Sequence, residues 1–321
     1  MPDGEPARGA RRDVRSGRLQ IWRFSDGKAG HDNQSLGLAE ALARVVQCEI
    51  HSVMPLGAAT ALIGLVTGRI STYQYYPKPD LILGAGHATH LSMLALRRAR
   101  GGRVVVMMTP TLPKRLFDLC LIPEHDQPGA ADNVAVTRGA LSRVRPCPDK
   151  DASSGLILLG GPSPHFGFDQ QKVLAQIGVV LKRDSAVLWT ATSSRRTPPG
   201  LIASLRAIKA PNLTLVAVEE TSPDWLAERL GRTARVWVTE DSASMVYEAL
   251  SSGAAVGLLT LDLTSPGRVS RGIEGLISEQ WVTRYDQWLD GGALRQPKAP
   301  LNEAERCAGL LLERWPDLAR R

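Results

Sequence analysis

Val238-Thr-Glu-Asp-Ser-Ala-Ser-Met-Val-Tyr-Glu-Ala-Leu250 joins a buried strand to a helix through a small polar turn. The first four N–H groups of a helix lack intrahelical partners, so a turn like this can receive phosphate oxygens, with Asp241, Ser242, Ser244 and Met245 around it. Glu248 falls one helical turn further on, where a carboxylate can accept from two vicinal ribose hydroxyls. The plainer alternative is an ordinary N-cap, with Asp241 or Ser242 capping and Glu248 solvated.

A second stretch, Ser25-Asp-Gly-Lys-Ala-Gly-His-Asp-Asn-Gln-Ser35, follows the apolar run Leu19–Phe24 and has the same strand, glycine turn, helix order. Leu36, Leu38, Ala39, Leu42 and Val45 recur at three- and four-residue spacing, which predicts a helix starting near Asn33. Gly27 and Gly30 allow positive φ and close ligand approach. The spacing is neither a Walker loop nor a dinucleotide fingerprint. Its information lies in the density of Asp26, Lys28, His31, Asp32, Asn33 and Gln34 at a strand's carboxyl end, where open α/β sheets bind ligands.

Strands and helices alternate along the rest of the chain. The first half offers strands at Leu19–Phe24, Glu49–Val53, Leu81–Gly84, Val104–Met108 and Leu119–Pro123, with a shorter one at Asn133–Thr137. The second half offers Leu156–Leu159, Ala186–Thr190, Leu213–Val218, Val236–Val238 and Ala255–Leu259. Apolar runs separated by helices imply parallel sheets covered on both faces. Arg145–Gly155, rich in proline, charge and small residues, is the linker between the halves.

The 321 residues are enough for two domains, and 43% hydrophobic with 22% charged residues is a globular composition. The longest apolar stretch, Leu56–Val66, falls short of the ~18 residues of a membrane span. Arg8, Arg11, Arg12, Arg15 and Arg18 come without an apolar segment, so residues 1–18 read as a basic flexible arm and not a secretory signal. A net charge of +7 favours anionic partners. Nucleic acid is discounted: the basic residues are dispersed, aromatics are 5%, and no nucleic-acid module is recognisable. Cys48, Cys120, Cys147 and Cys307 form no CxxC pair, so neither a zinc site nor a disulfide framework is expected. A cytoplasmic protein follows, peripheral at most on the inner face of a membrane.

Several motifs in one order carry a resemblance: Ser25–Leu38, Gly84-Ala-Gly-His-Ala-Thr-His90, Leu112-Pro-Lys-Arg-Leu-Phe-Asp118, Pro123-Glu-His-Asp126, Val136-Thr-Arg-Gly-Ala-Leu141, Gly160-Gly-Pro-Ser163, Thr192-Ser-Ser-Arg-Arg-Thr-Pro198 and Trp237–Met245. Together they resemble the Elm-type mitochondrial fission protein family, from about Leu19 onward. The family is similar to two-domain GT-B glycosyltransferases, and its bacterial members are often labelled sugar-nucleotide epimerases. A plant member is associated with recruiting a dynamin-related GTPase to mitochondria. The resemblance implies an α/β fold of two Rossmann-like domains facing a central cleft, with an acceptor-side domain over residues 19–148 and a nucleotide-sugar donor domain over 149–300. By the same analogy a closing helix in 301–321, about Asn302–Glu313, packs back on the first domain.

On that frame Thr192, Ser193, Ser194, Arg195 and Arg196 are assigned to the donor diphosphate, because hydroxyls and guanidiniums after a strand can clamp phosphate. A solvated basic loop is the alternative. Gly160 and Gly161 would let backbone approach the ligand, unless they form a simple turn. Sugar transfer needs a base for the acceptor proton and positive charge for the departing diphosphate. His31 is the leading base, with Asp26 or Asp32 to orient it. Gly27, Gly30, Asn33, Gln34, His87, Glu124 and His125 are assigned to the acceptor side, with His87 and His90 as the alternative base pair. Asp149-Lys-Asp151 spells a metal-binding DxD pattern but sits in the linker and is read as chance. GT-B enzymes generally need no metal, so no cofactor is expected beyond the sugar nucleotide as substrate. The expected function is transfer of a sugar from a nucleotide-diphosphate sugar to a lipid-linked or glycan acceptor. The alternatives are a sugar-nucleotide epimerase and a non-catalytic adaptor. Met54–Val66 would expose an apolar patch beside a basic surface if it faced solvent; a buried core helix is the expected use.

Overall fold

The computed structural model describes residues 17–320, so the basic arm expected over residues 1–18 lies outside them apart from Gly17 and Arg18. The first half is built from β1 (Leu19–Phe24), α1 (Ala29–Ala43), β2 (Cys48–Val53), α2 (Ala58–Thr67), β3 (Leu81–Ala85), α3 (His90–Arg100), β4 (Arg103–Met107), β5 (Leu119–Pro123) and β6 (Val134–Thr137). Its six strands form one parallel sheet in the order β2-β1-β3-β4-β5-β6.

Period-two alternation sorts each strand between two helical layers. Leu19 and Ile21 of β1, Leu81 and Leu83 of β3 and Val105 of β4 pack on α1 residues Leu38, Ala41 and Leu42. Their sequence neighbours Trp22, Phe24, Ile82, Val104 and Val106 turn to the other face, against Met93, Leu94 and Leu96 of α3. Both faces are dry, which is why these strands read as continuous apolar runs.

The second half contains β7 (Asp151–Leu158), β8 (Phe166–Gly167), α4 (Gln170–Arg183), β9 (Leu188–Thr192), α5 (Pro199–Ala207), β10 (Leu213–Val216), α6 (Trp225–Arg232), β11 (Thr233–Thr239), α7 (Ala243–Ser251), β12 (Ala255–Leu259), β13 (Asp262–Leu263), α8 (Arg268–Ser278), β14 (Thr283–Arg284), α9 (Tyr285–Leu289) and α10 (Glu303–Arg314). A second parallel sheet runs β10-β9-β7-β11-β12-β14, and β8 pairs with β13 antiparallel. Leu156, Leu158, Val236 and Val238 face α7 and α8, while Ile157 and Trp237 face α4, α5 and α9. Two helix-covered parallel sheets are the α/β class read from the sequence.

Some boundaries move. β7 begins at Asp151, inside the expected linker, and the linker is stitched down: Lys150 Nζ donates to the carbonyls of Gly231 and Thr233, and Cys147 N to Gly231 O. The short strands β8, β13 and β14 have too few residues to show a period. α10 leaves the second half and buries Ala304, Cys307, Ala308 and Leu311 against α1, so the last helix completes the first half's core.

Candidate functional site

The site starts where β1 ends. Gly27 takes φ +77°, a turn conformation that suits glycine, and α1 then begins at Ala29, four residues before the expected start at Asn33. Gly30 is helical and needs no special conformation. The early start puts His31, Asn33 and Gln34 on the first turns of α1, where Gln34 is buried with its amide bonded to Gly30 O. His31 Nδ1 lies 2.9 Å from Asp26 Oδ2. Burial alone would raise the Asp26 carboxyl, but hydrogen bonds from His31 and the Lys28 amide hold it below the usual aspartate value. An ionised Asp26 only accepts, so Nδ1 carries the hydrogen, and in the neutral ring the lone pair is then on Nε2. Asp32, the other candidate partner, points elsewhere: it takes Arg23 Nη1 at 3.0 Å, while the same guanidinium reaches Ser35 and Ser52.

Gly86 makes room for the imidazole. It has φ +82°, and a Cβ there would overlap the His31 ring. The Gly84–His90 motif thus acts on His31 through its backbone. His90 is buried, bonded to Thr111 and edge-on to Phe117, and burial, aided by His87, lowers its pKa to about 4. It is a neutral core histidine. His87 stays exposed on a 3-10 turn beside it.

Glu248 meets this end of the first half. Asn33 Nδ2 donates to Glu248 Oε1 at 2.7 Å, between residues far apart in sequence, on α1 of the first half and α7 of the second. Neither the capping nor the solvated alternative describes this region: Ser242 occupies the N-cap position of α7 without a side-chain cap bond, and Glu248 is half-buried. Protein crowds the carboxylate from both halves. Desolvation raises its pKa to about 7 despite the opposing Asn33 hydrogen bond. Ser244 is exposed at the start of α7, and Met245 packs at the edge of the core beneath it.

The polar loops of the second half are largely tied to one another. Gly160 N donates to Thr239 Oγ1 at 2.8 Å, Gly161 N to Asp241 Oδ2 at 2.9 Å, and Arg196 pairs with the same Asp241 oxygen at 2.9 Å. Burial raises the Asp241 carboxyl despite these partners. Side chains at Gly160 or Gly161 would collide with Asp241 or Arg196. Arg196 also donates to the carbonyls of Gly161 and Pro162, and Thr197 Oγ1 donates toward the carbonyls of Leu159 and Gly160. Ser193 Oγ accepts from Val218 N, Ser194 bonds to Thr197, and Thr192 is buried. Asp241, Arg196 and Ser193, expected at the nucleotide sugar, thus also bond neighbouring strand-end loops to one another, and the second Asp241 oxygen, Oδ1, is buried without a hydrogen-bond partner among the described residues. Arg195 is exposed and has no hydrogen-bond or ion-pair partner among the described residues.

Glu124, His125 and Asp126 form a 3-10 turn after β5 that docks on the second half. The His125 ring stacks on Tyr247 with centroids 6.0 Å apart, and desolvation lowers its pKa. Asp126 accepts from Thr109 and Arg268, and Glu124 lies 3.6 Å from Arg138. This cluster joins the halves. Gly86, Thr239, Thr197 and Tyr247 escaped the site reading because each acts through backbone shape or a partner distant in sequence. Among the described residues no group of three or more His, Cys, Asp or Glu side chains is gathered for a metal ion.

Among curated proteins, no sequence matches the chain. Among solved structures it resembles a putative UDP-N-acetylglucosamine 2-epimerase from Listeria monocytogenes, with TM-score 0.55, 12% identity, and coverage of 94% of this chain and 98% of that one. The UDP-GlcNAc 2-epimerase from Neisseria meningitidis, bound to UDP-GlcNAc, matches with TM-score 0.52 and 10% identity over 94% of this chain and 100% of that one. The spinosyn forosaminyltransferase SpnP matches at 14% identity over 94% of this chain and 92% of that one, with a TM-score of 0.49. The two likenesses with TM-scores above 0.5 establish the GT-B-like fold alone. A model of the mitochondrial fission ELM1 family matches residues 29–315, and the chain belongs to that family.

Proposed function

We propose that the protein binds a nucleotide-diphosphate sugar in the cleft between its sheets and transfers the sugar to an acceptor held by the first half. The hydrogen bond between Asn33 and Glu248 carries this reading, because it sets α1 and its His31–Asp26 pair against α7. Glu248 takes the ribose hydroxyls, and the free N–H groups at the start of α7, with exposed Ser244 and Arg195, take the diphosphate. His31 Nε2 accepts the acceptor's proton as the acceptor oxygen bonds to the anomeric carbon. The bond from that carbon to the diphosphate oxygen breaks, and the nucleoside diphosphate leaves.

Epimerisation is the second reading, favoured by the names of the two epimerases described above, each with a TM-score above 0.5. One experiment separates these readings from an adaptor. The protein is titrated with UDP-, GDP-, ADP- and dTDP-sugars by thermal shift, and the best binder is then incubated with and without an acceptor panel. Glycosylated acceptor plus released nucleoside diphosphate supports transfer. An isomerised sugar nucleotide without acceptor supports epimerisation, and binding of none of the sugars leaves the adaptor.

A further inference from the structure

The helix expected to be core is largely bare. Of α2, only Ala61 and Gly64 are buried, packed toward Ile70 and α3, while Leu62 is 55%, Ile63 62% and Val66 74% exposed. Together with exposed Ala59 they make a stripe at helical spacing. Met54 at the end of β2 and Tyr75 beyond α2 extend it, at 65% and 90% exposure. Tyr73 hydroxyl donates to Met54 O, so the tyrosine-bearing turn folds back against the start of the patch.

The exposed charges nearest the stripe in sequence, Arg69 and Lys78, are basic, while Arg97 and Arg103 further along are paired with Asp118 and Asp317. Between Ile50 and Phe117 the sequence has eight Lys and Arg residues against one carboxylate, Asp80. Arg69, Lys78 and Arg98 are exposed and form no ion pair among the described residues, and Arg98 lies beside Gly68, which caps the C-terminus of α2. An apolar helical face with tyrosine and basic residues at its edge suits the interface of an anionic bilayer: apolar side chains enter the acyl boundary and cations meet headgroups.

We infer that α2, with Met54 and Tyr75, docks the protein on an anionic lipid surface as a helix lying in the membrane interface. No helix among the described residues is long and apolar enough to cross a membrane, so this contact is peripheral. The patch adjoins the candidate site. Ser25 N, at the head of the His31 turn, donates to Val53 O, one residue before Met54. Docking through α2 would bring the first half's open sheet end to the headgroup layer. The inference holds whether or not the transfer reading does.

The test is co-sedimentation of the full chain with phosphatidylglycerol and phosphatidylcholine vesicles, alongside the triple variant Leu62→Ser, Ile63→Ser, Val66→Ser and the double variant Arg69→Glu, Lys78→Glu. These side chains are exposed, so circular dichroism and melting temperature should stay near wild type. The expected result is salt-sensitive binding to phosphatidylglycerol only, weakened about tenfold or more by either variant. Unchanged binding in the triple variant would overturn the inference and assign lipid affinity to charge elsewhere, including the basic N-terminal residues. A wild type that ignores both vesicles but forms a dimer dissolved by the triple variant would also overturn it, in favour of self-association.

Discussion

The strand ends of the two sheets carry similar polar sequences and use them in opposite ways. After β1, Asp26 pairs with His31 and the Lys28 amide, and Asn33 reaches across to Glu248. After β7, β9 and β11, Thr197, Arg196, Thr239 and one oxygen of Asp241 bond to one another and to the Gly160–Gly161 backbone, while Asp241 Oδ1 is buried without a partner among the described residues. The density of hydroxyls and charges is alike, but the partners lie in different places: across the two halves for Asn33, among neighbouring loops for Arg196.

The sharpest way to break this comparison is at His31. His31→Ala should lower turnover by ~10²–10⁴-fold, the range supplied by general base catalysis, with donor affinity near wild type. Gly86→Ala, which would push on the ring without removing it, should cost a smaller factor in kcat. Steady-state kinetics with calorimetry reads both. Loss of donor binding in His31→Ala would mean that the two sheets do not divide the work.

Asp241→Ala tests the opposite behaviour. It strips a buried partner from Gly161 N and from Arg196, and should destabilise the protein by ~1–3 kcal/mol in urea unfolding. A variant as stable as wild type that binds donor poorly would return Asp241 to the ligand.

Glu248→Ala should weaken nucleotide-sugar binding by ~1.5–3 kcal/mol, measured by titration calorimetry. Its pKa of about 7 adds a pH signature. Ribose hydroxyls need the ionised carboxylate, so a UDP-sugar, whose diphosphate diester does not titrate in this range, should bind more tightly as pH rises through 7. Without ligand the sign is reversed. The folded value lies above the ordinary 4.5, so the group's contribution to stability is full below pH 4.5 and lost as pH climbs through about 7.

Arg195→Ala should give the smallest effect, a loss of ~0.5–1 kcal/mol in donor affinity with no change in melting temperature, because the side chain is exposed and unpaired among the described residues. If Arg195→Ala destabilised the fold, its loop would be as internally tied at Arg195 as it is at Arg196.

The layered sheets were legible because alternation is local: Ile21 and Trp22 point to opposite cores, and each reads as apolar whichever layer it joins. The turn into α7 was legible for the same reason. The partners of Arg196 were not, since Asp241 lies on another strand end and both residues read equally well as parts of a nucleotide-sugar site. Nor was the start of α1. Gly27 and Gly30 looked like one loop, but Gly30 is held in the helix, where Gln34 bonds back to its carbonyl. α2 misled in the opposite direction, because an apolar helix reads as core until its neighbours are known to bury only Ala61 and Gly64 and to cover Leu65 in part.

The central claim is that a sugar nucleotide lies between α1 and α7, and a crystal structure of the protein with a bound UDP- or GDP-sugar tests it most directly. The account predicts ribose density on Glu248, displacing Asn33, with the diphosphate at the start of α7 near Ser244 and Arg195. Density at any other place, with the bond between Asn33 and Glu248 intact, would contradict it.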